Sequence, residues 1–161
     1  MSLINHRRRS DRWHGASKKV GQTAAPLFLD RIDIQCEITP VPFKGISKAA
    51  QGEPSAEIRK RVIRAREIQA ERFSGQKGIH CNAQMSERMI HQYAEPDEAG
   101  ISMLRMAMER LSLSARAYNR ILKVARTIAD LEGCEHVESH HLAEAIGYRT
   151  LDRGDWAERG I

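Results

Sequence analysis

The sequence is poor in aromatic residues, cysteine pairs and long apolar runs, and each shortage excludes a class of protein. Aromatic residues make up only 5% of the 161 residues, so the core must be built from aliphatic side chains, which favours packed helices over a β-sandwich. Cys36, Cys81 and Cys134 form no C-x-x-C pair and indicate reduced thiols in a cytoplasmic protein. No run approaches the roughly 18 apolar residues of a membrane span, so we expect no membrane partner.

The positive net charge lies in one segment of the chain. The formal charge is +5, and residues 1–20 supply all of it, because they hold six basic residues and one acid. The remaining residues hold 20 basic and 20 acidic side chains and are neutral overall. Residues 1–25 have no hydrophobic periodicity and are predicted to form a disordered basic extension. The high pI is therefore no indication that the folded part binds nucleic acid.

Residues 30–38 alternate polar and apolar side chains, which predicts a short β-strand. Pro40 and Pro42 follow it and would end it. The apolar face would consist of Ile32, Ile34, Cys36 and Ile38. Because a single strand cannot satisfy its own backbone groups, it must pair with something outside this chain or lie unpaired along the helices.

The rest of the chain has the periodicity of about five helices. A linker at residues 44–53 precedes the first helix, which is predicted from Pro54 to about Phe73. A short helix is predicted from Met85 to Tyr93, and Asp97 caps the third. The predicted inward residues of the first helix are Ile58, Val62, Ala65 and Ile68, and those of the third are Met103, Leu104, Met106, Ala107 and Leu111.

The fourth helix has the strongest pattern. Ser114 is a good N-cap for it, and Gly133 is a favourable terminator. Between them the inward residues are Tyr118, Ile121, Leu122, Ala125, Ile128 and Ala129. A last helix is predicted from about Glu138 to Gly147, followed by a polar tail at residues 151–161.

Two segments resemble a known family. Residues 25–35, Ala-Pro-Leu-Phe-Leu-Asp-Arg-Ile-Asp-Ile-Gln, are similar to the G-P-L-L-D-R-I-D-[IL] segment near the end of the ATPase core in magnesium-chelatase-like AAA+ ATPases of the ComM type. Residues 113–132, Leu-Ser-Ala-Arg-Ala-Tyr-Asn-Arg-Ile-Leu-Lys-Val-Ala-Arg-Thr-Ile-Ala-Asp-Leu-Glu, are similar to that family's L-S-A-R-A-Y-x-R-[IV]-L-[KR]-V-A-R-T-I-A-D-L run. Shorter stretches within 55–85 and 141–149 also fit the family.

The resemblance implies a mainly α fold. Residues 54–150 would be the C-terminal helical lid of such an ATPase, similar to magnesium-chelatase subunit ChlI, and residues 26–45 a remnant of the ATPase core with its last strand. The sequence has no G-x-x-x-x-G-K-[ST] loop, so we expect no ATP hydrolysis by this chain alone. ATP with its Mg²⁺ would be bound only with a core domain supplied elsewhere, and no metal ion is expected on this chain.

The resemblance also implies roles for two arginines. Arg116, in the first turn of the fourth helix, matches the sensor-2 arginine that approaches the nucleotide phosphates. Arg31 matches the arginine finger, a catalytic residue that would act in trans on a neighbouring subunit of a hexameric ring. The planar, permanently charged guanidinium suits both tasks. The residues alone leave other interpretations open: a plain surface arginine at 116, and an ion pair of Arg31 with Asp30 or Asp33.

Two further clusters are candidate binding sites. Arg116, Arg120 and Lys123 lie at i, i+4 and i+7 on one helix face, which could bind phosphate of a nucleotide or nucleic acid, or be a solvated face paired with acids. A second group between the last two helices consists of Cys134, His136, His140 and His141. A metal site is not favoured there, because the spacing straddles a helix start.

The resemblance therefore implies a lid that senses nucleotide and contributes to ring assembly. Its partners would be an AAA+ core domain or full-length homologous subunits. Two alternatives stay open at this point. One is a DNA-binding accessory module of a ComM-like helicase, suggested by the basic extension and the face of Arg116, Arg120 and Lys123. The other is the vestigial product of a truncated or split gene.

Overall fold

The computed structural model describes residues 31–36 and 52–149. Within these ranges the chain forms five α-helices and one 3₁₀ helix. They are α1 (Ser55–Arg72), the 3₁₀ helix (Asn82–Gln84), α2 (Glu87–Tyr93), α3 (Glu98–Leu111), α4 (Ala115–Glu132) and α5 (Ser139–Gly147). The prediction of a mainly α bundle of about five helices is confirmed. The predicted extension at 1–25, the tail at 151–161 and most of the linker at 44–53 lie outside the described residues.

Helix α4 is the centre of the bundle. It packs against α1, α2, α5 and the 3₁₀ helix, and its buried side chains include Ile121, Leu122 and Ala125. The Ser114 hydroxyl accepts a hydrogen bond from the Ala117 amide at 3.1 Å and so starts the helix. Gly133 ends it with φ +79°, a left-handed conformation that glycine adopts without a steric penalty. None of the helices in the described ranges is long and apolar enough to cross a membrane.

Helices α3 and α5 approach each other closely at a glycine. A Cβ atom on Gly100 would lie 2.7 Å from a methyl carbon of Leu142 and 2.7 Å from Cβ of Pro96. Only a residue without a side chain fits between the two helices there. The Asp97 carboxylate accepts a hydrogen bond from the Gly100 amide at 2.7 Å, so the N-cap of α3 holds the same point.

Two parts of the predicted hydrophobic pattern are wrong. Ile58 and Val62 are 44% and 39% exposed, because the buried residues of α1 are Ala65 and Gln69, in its C-terminal half. The first turns of α1 continue the buried stripe but have no described element against them. Met106 is 60% exposed, since it lies two residues from the buried Leu104 and so on the opposite side of α3.

The predicted strand is also wrong where the structure describes it. None of residues 31–36 is in a strand, and Ile34 and Cys36 are exposed while Gln35 is buried. The second possibility left open by the sequence holds for these residues: the segment lies along the helices, with the Gln35 backbone amide donating to the Tyr148 carbonyl at 3.1 Å. Alternation alone does not make a strand, because the backbone also needs a neighbouring strand, and the described residues offer only a helix end. Residues 30, 37 and 38 lie outside the described ranges.

A buried charge network joins α1, the 3₁₀ helix and α4. The fully buried Asp130 carboxylate accepts hydrogen bonds from the terminal guanidinium nitrogens Nη1 and Nη2 of Arg72, at 2.8 and 2.5 Å, and from the Asn82 side-chain amide at 2.7 Å. Arg126, 1% exposed, donates to the same carboxylate through Nε at 3.1 Å. Its other nitrogens reach the carbonyls of Cys134 and Glu135, each at 2.6 Å, which fixes the loop after α4.

Hydrogen bonds and opposite charges, rather than apolar contacts, offset the cost of burying the charged groups of this network. Burial alone would raise the pKa of the Asp130 carboxyl, but the hydrogen bonds from Arg72 and Asn82 and the charges of both guanidiniums outweigh it, and the pKa lies below its usual range. Burial lowers the pKa of Arg126, and Asp130 opposes that shift. One carboxylate is therefore the counter-charge for two guanidinium groups, those of Arg72 and Arg126.

Replacing Asp130 with Asn is expected to destabilise the domain strongly. The variant keeps the size of the side chain but leaves Arg72 and Arg126 without a counter-charge, which costs about 3–5 kcal/mol in comparable buried pairs. Urea unfolding followed by circular dichroism measures the change. Glu71→Gln on the exposed side of α1 is the control and should stay within about 0.5 kcal/mol of the parent protein. A loss for Asp130→Asn no larger than that of the control would contradict the prediction.

Candidate functional site

The side chains of the predicted phosphate-binding face line one open groove. The groove has a volume of about 580 Å³ and runs along α4, between the segment 31–36 and the C-terminal end of α5. Arg116, Arg120 and Lys123 all line it, so the structure brings the three predicted cations together. Its apolar wall includes Ile34, Val124, Ile128, Leu131 and Tyr148. Such a groove offers positive charge beside a surface on which a flat apolar group can pack.

Arg116 lies at the N-terminal end of this groove. It is the second residue of α4, two positions after the Ser114 cap, and it is exposed. The unpaired backbone amides and the dipole of a helix favour anions at this end, and the guanidinium adds a full positive charge at the same place. Of the three cations, Arg116 is therefore the one whose surroundings best suit a phosphate group.

Arg120 and Lys123 each contact another part of the protein. The Arg120 guanidinium forms an ion pair with the Asp33 carboxylate, and the Lys123 ammonium donates to the Ala83 carbonyl at 2.9 Å. For Arg120 this is the pairing with an acid that the sequence left open as an alternative. A phosphate arriving in the groove would have to displace Asp33 before it could bind Arg120.

Arg31 is exposed at the start of the segment that forms one wall of the groove. Asp33, a partner considered for it from the sequence, pairs with Arg120 instead. Asp30, the other candidate partner, lies outside the described residues. Arg31 is thus a surface residue in the described part of the chain.

The histidines after α4 form a different cluster from the one that the sequence suggested. His140 and His141 meet Glu132, with the Glu132 carboxylate 2.9 Å from Nε2 of His140 and 3.1 Å from Nε2 of His141. Their potential ligand atoms lie within 4.8 Å of one another. Cys134 and His136 are not in this group and line a separate pocket with Arg126.

The capping of α5 determines the tautomer of His141 and with it the chemistry of the cluster. The backbone amide of Glu138 donates to Nδ1 of the buried His141 at 2.9 Å, so Nδ1 must offer its lone pair. In neutral His141 the proton is then on Nε2, which donates it to Glu132. A metal ion at Nε2 would need that lone pair and would place a proton on Nδ1 against the Glu138 amide. The arrangement suits a helix cap better than a metal site.

Some residues of the site had no signal in the sequence. The pairing of Asp33 with Arg120 joins residues 87 positions apart, and the Arg149 guanidinium donates to the Ile32 carbonyl across 117 positions. Local periodicity reports neighbours on the same element and carries no information about such contacts. Arg149 is 1% exposed, so the side chain that makes this contact is buried.

Comparison with known proteins defines the class of this domain. Residues 52–149, which carry all five helices, match the family described as magnesium chelatase, subunit ChlI C-terminal. The chain belongs to this family, and the resemblance predicted from its motifs is confirmed.

Individual relatives narrow the type. The chain is 41% identical over 127 residues to competence protein ComM of Haemophilus influenzae, a match that covers 78% of this chain and 24% of that protein. It is 44% identical over 128 residues to uncharacterized protein YifB of Salmonella typhimurium, again covering 78% and 24%. It is 34% identical over 130 residues to uncharacterized protein Rv2897c of Mycobacterium tuberculosis, covering 81% and 25%. The chain spans about a quarter of the length of the curated relatives it matches.

The histidine cluster gives a prediction for pH dependence. The hydrogen bond to Glu132 raises the pKa of His140 above its ordinary 6.5, with smaller contributions from the charges of Glu132, Glu138 and Glu144. A raised pKa in the folded state stabilises the protein below pH 6.5, and this contribution is lost as the pH rises through the folded-state pKa. Glu132→Gln should bring the pKa of His140 back towards 6.5, as measured by NMR titration of the imidazole protons.

Glu87→Gln in α2 is the control for this titration, because Glu87 is exposed and is not among the groups that shift His140. It should leave the His140 curve in place. Identical His140 titrations in the parent protein and in Glu132→Gln would show that the contact does not persist in solution.

Proposed function

We propose that this chain is a nucleotide-sensing lid of a magnesium-chelatase-like AAA+ ATPase, active together with a core domain that binds ATP and Mg²⁺. The observation that carries the proposal is Arg116, an exposed guanidinium in the first turn of a capped helix, at the end of a groove. It would contact the terminal phosphates of a nucleotide held by the core. Family membership supports the proposal, since subunits of this family carry the domain as a C-terminal part.

The chemistry assigned to the lid is electrostatic. A guanidinium placed at a helix N-terminus stabilises negative charge on phosphate oxygens without a proton transfer, and it stays charged at every physiological pH. The chain contributes this one contact and leaves the metal and the attacking water to the core. Arg31 is the second residue of the proposal: exposed beside the groove, it would act in trans on the nucleotide of the neighbouring subunit.

The exposed stripe of α1 supports a role in assembly. Ile58 and Val62 continue the buried stripe of Ala65 and Gln69 beyond the bundle and remain 44% and 39% exposed. Apolar side chains aligned with a packed interface are typical of a surface that another domain covers. We propose that the ATPase core covers it when lid and core are joined.

Arg116→Ala should lower the ATP turnover of the lid mixed with an ATPase core about 10- to 150-fold, because a charge-assisted hydrogen bond contributes about 1.5–3 kcal/mol. Arg116→Lys keeps the charge without the planar fork and should recover part of the rate. Arg105→Ala, on the exposed side of α3, is the matched control and should leave turnover unchanged. Equal turnover for Arg116→Ala and the control would refute the sensing role.

A second experiment tests the docking surface. Ile58→Glu combined with Val62→Glu should leave the thermal unfolding of the isolated chain nearly unchanged, because both residues are exposed, but should abolish co-elution with the core. Ile63→Glu is the control: Ile63 is 46% exposed on a different face of α1 and should not affect binding. Loss of binding in the control as well, or in neither variant, would count against the stripe as the interface.

The DNA-binding alternative has less support. It rests on the basic extension and on the face of Arg116, Arg120 and Lys123. Within that face, DNA would have to compete with Asp33 for Arg120 and with the Ala83 carbonyl for Lys123. An electrophoretic shift with single- and double-stranded DNA at about 50 mM salt, where phosphate contacts are strongest, distinguishes the two proposals. A shift that weakens with added salt and is lost on removing residues 1–20 would favour DNA binding.

A further inference from the structure

The segment 31–36 is attached to the helical domain at three points. The Arg149 guanidinium donates to the Ile32 carbonyl, Arg120 pairs with the Asp33 carboxylate, and the Gln35 amide donates to the Tyr148 carbonyl at 3.1 Å. Two of these anchors follow α5 directly, and the third lies on α4. Contacts to two different helices restrain both the position and the direction of the segment.

The anchors are buried to different degrees, which separates their tasks. Arg149 is 1% exposed and Gln35 is 8% exposed, so the contacts at the end of α5 are shielded from water. The Arg120 and Asp33 side chains are 25% and 54% exposed, so this ion pair is weaker and more easily exchanged. The two contacts at the end of α5 hold the segment on the bundle, and the ion pair of Arg120 with Asp33 sets how the segment lies against α4.

We propose that Arg120 and Arg149 are positioning residues that fasten residues 31–36 to the helical domain, so that Arg31 moves together with the lid. Under this proposal Arg120 is not a phosphate ligand, although it lies one helical turn from Arg116. The segment that resembles the end of the ATPase core is mechanically part of the helical bundle.

The attachment has a consequence for the proposed function, on which this part of the inference rests. A nucleotide that binds Arg116 would shift the first turn of α4. Because α4 also carries Arg120, which pairs with Asp33, the shift would reach the segment 31–36. Arg31 is two residues from Asp33 in the same segment. Nucleotide sensing in one subunit and the arginine offered to its neighbour would thus be coupled through one helix.

A charge exchange tests the attachment in the isolated full-length chain, without core or nucleotide. Asp33→Arg and Arg120→Asp each place like charges together, and the double variant restores an opposite pair. Hydrogen exchange of the Gln35 backbone amide, measured by NMR, should become about two- to fivefold faster in each single variant, the range expected from loss of a partly exposed ion pair. It should return to the parent rate in the double variant.

Spin labels give an independent readout of position. Cys36 is exposed within the segment and Cys134 lies in the loop after α4, so labels on these two native cysteines, with Cys81→Ser, report the distance between segment and bundle. The parent protein should give a narrow distance distribution, the single variants a broad one, and the double variant a narrow one. Arg105→Asp is the control for a general charge effect, and thermal unfolding checks that every variant is folded.

The outcomes separate this inference from the proposed function. If the single variants exchange and broaden no more than Arg105→Asp, or if the double variant fails to restore the parent behaviour, the attachment through Arg120 is wrong whatever Arg116 does. If the rescue succeeds while Arg116→Ala leaves ATP turnover unchanged, the attachment stands and the sensing role fails. Should a single variant unfold, Arg120→Lys replaces it: it keeps the ion pair, and near-parent exchange at Gln35 supports the proposal, whereas exchange as fast as in Asp33→Ala overturns it.

Discussion

The buried carboxylate of Asp130 joins α1, the 3₁₀ helix and α4 through charged hydrogen bonds. Asp130 neutralises Arg72 from α1 and Arg126 from its own helix, and it binds Asn82 from the 3₁₀ helix. Through Arg126 the same group holds the carbonyls of the loop that leads to α5. Four parts of the chain therefore meet at this carboxylate. Apolar packing is not directional, whereas charged hydrogen bonds require particular angles and distances, so the network restrains how these parts are oriented. This junction restrains how α1, the 3₁₀ helix and the loop after α4 lie against α4.

Helix α4 connects this junction to the surface. Its inner residues carry the core and the network, and an adjoining face presents Arg116, Arg120 and Lys123 to the groove. The 3₁₀ helix contacts both faces, since the Asn82 amide also donates to the Thr127 hydroxyl at 3.1 Å while the Ala83 carbonyl accepts from Lys123. A helix anchored on both faces would suit the sensing role proposed for Arg116 in its first turn, because a side chain holds a phosphate in place only when its own support is held.

The sequence predicts what local chemistry determines and misses what depends on distant partners. The ends of α4 follow from Ser114 and Gly133, and the mainly α fold follows from the periodicity. The network around Asp130 was not predicted, because Arg72 and Asp130 are 58 residues apart and each looks like an ordinary exposed charge. Ile58 and Val62 have the period of buried residues, but a period does not tell how far the neighbouring helix extends. The alternation at 30–38 is real, yet a strand also needs a partner that the described residues do not contain.

In the candidate site, too, the features set by local spacing could be predicted and those set by distant contacts could not. The row of cations was visible from the spacing of Arg116, Arg120 and Lys123, since three positions on one helix are geometrically linked. The pairing of Arg120 with Asp33 was not visible, because the two residues are 87 positions apart. The roles of Arg116 as a sensor and of Arg31 as a finger rest on the family motif and stay predictions.

The exposed stripe of α1, Ile58 and Val62, also affects how the isolated chain behaves in solution. Ile58 and Val62 expose apolar surface on a part of the molecule whose charges cancel, because residues 21–161 hold equal numbers of acids and bases. Two such molecules meet without long-range repulsion at that surface, and residues 1–20 carry the whole net charge that keeps them apart. Colloidal stability of the chain therefore depends on its basic N-terminal stretch, and added salt, which screens that charge, brings the apolar stripes of separate molecules within reach of each other.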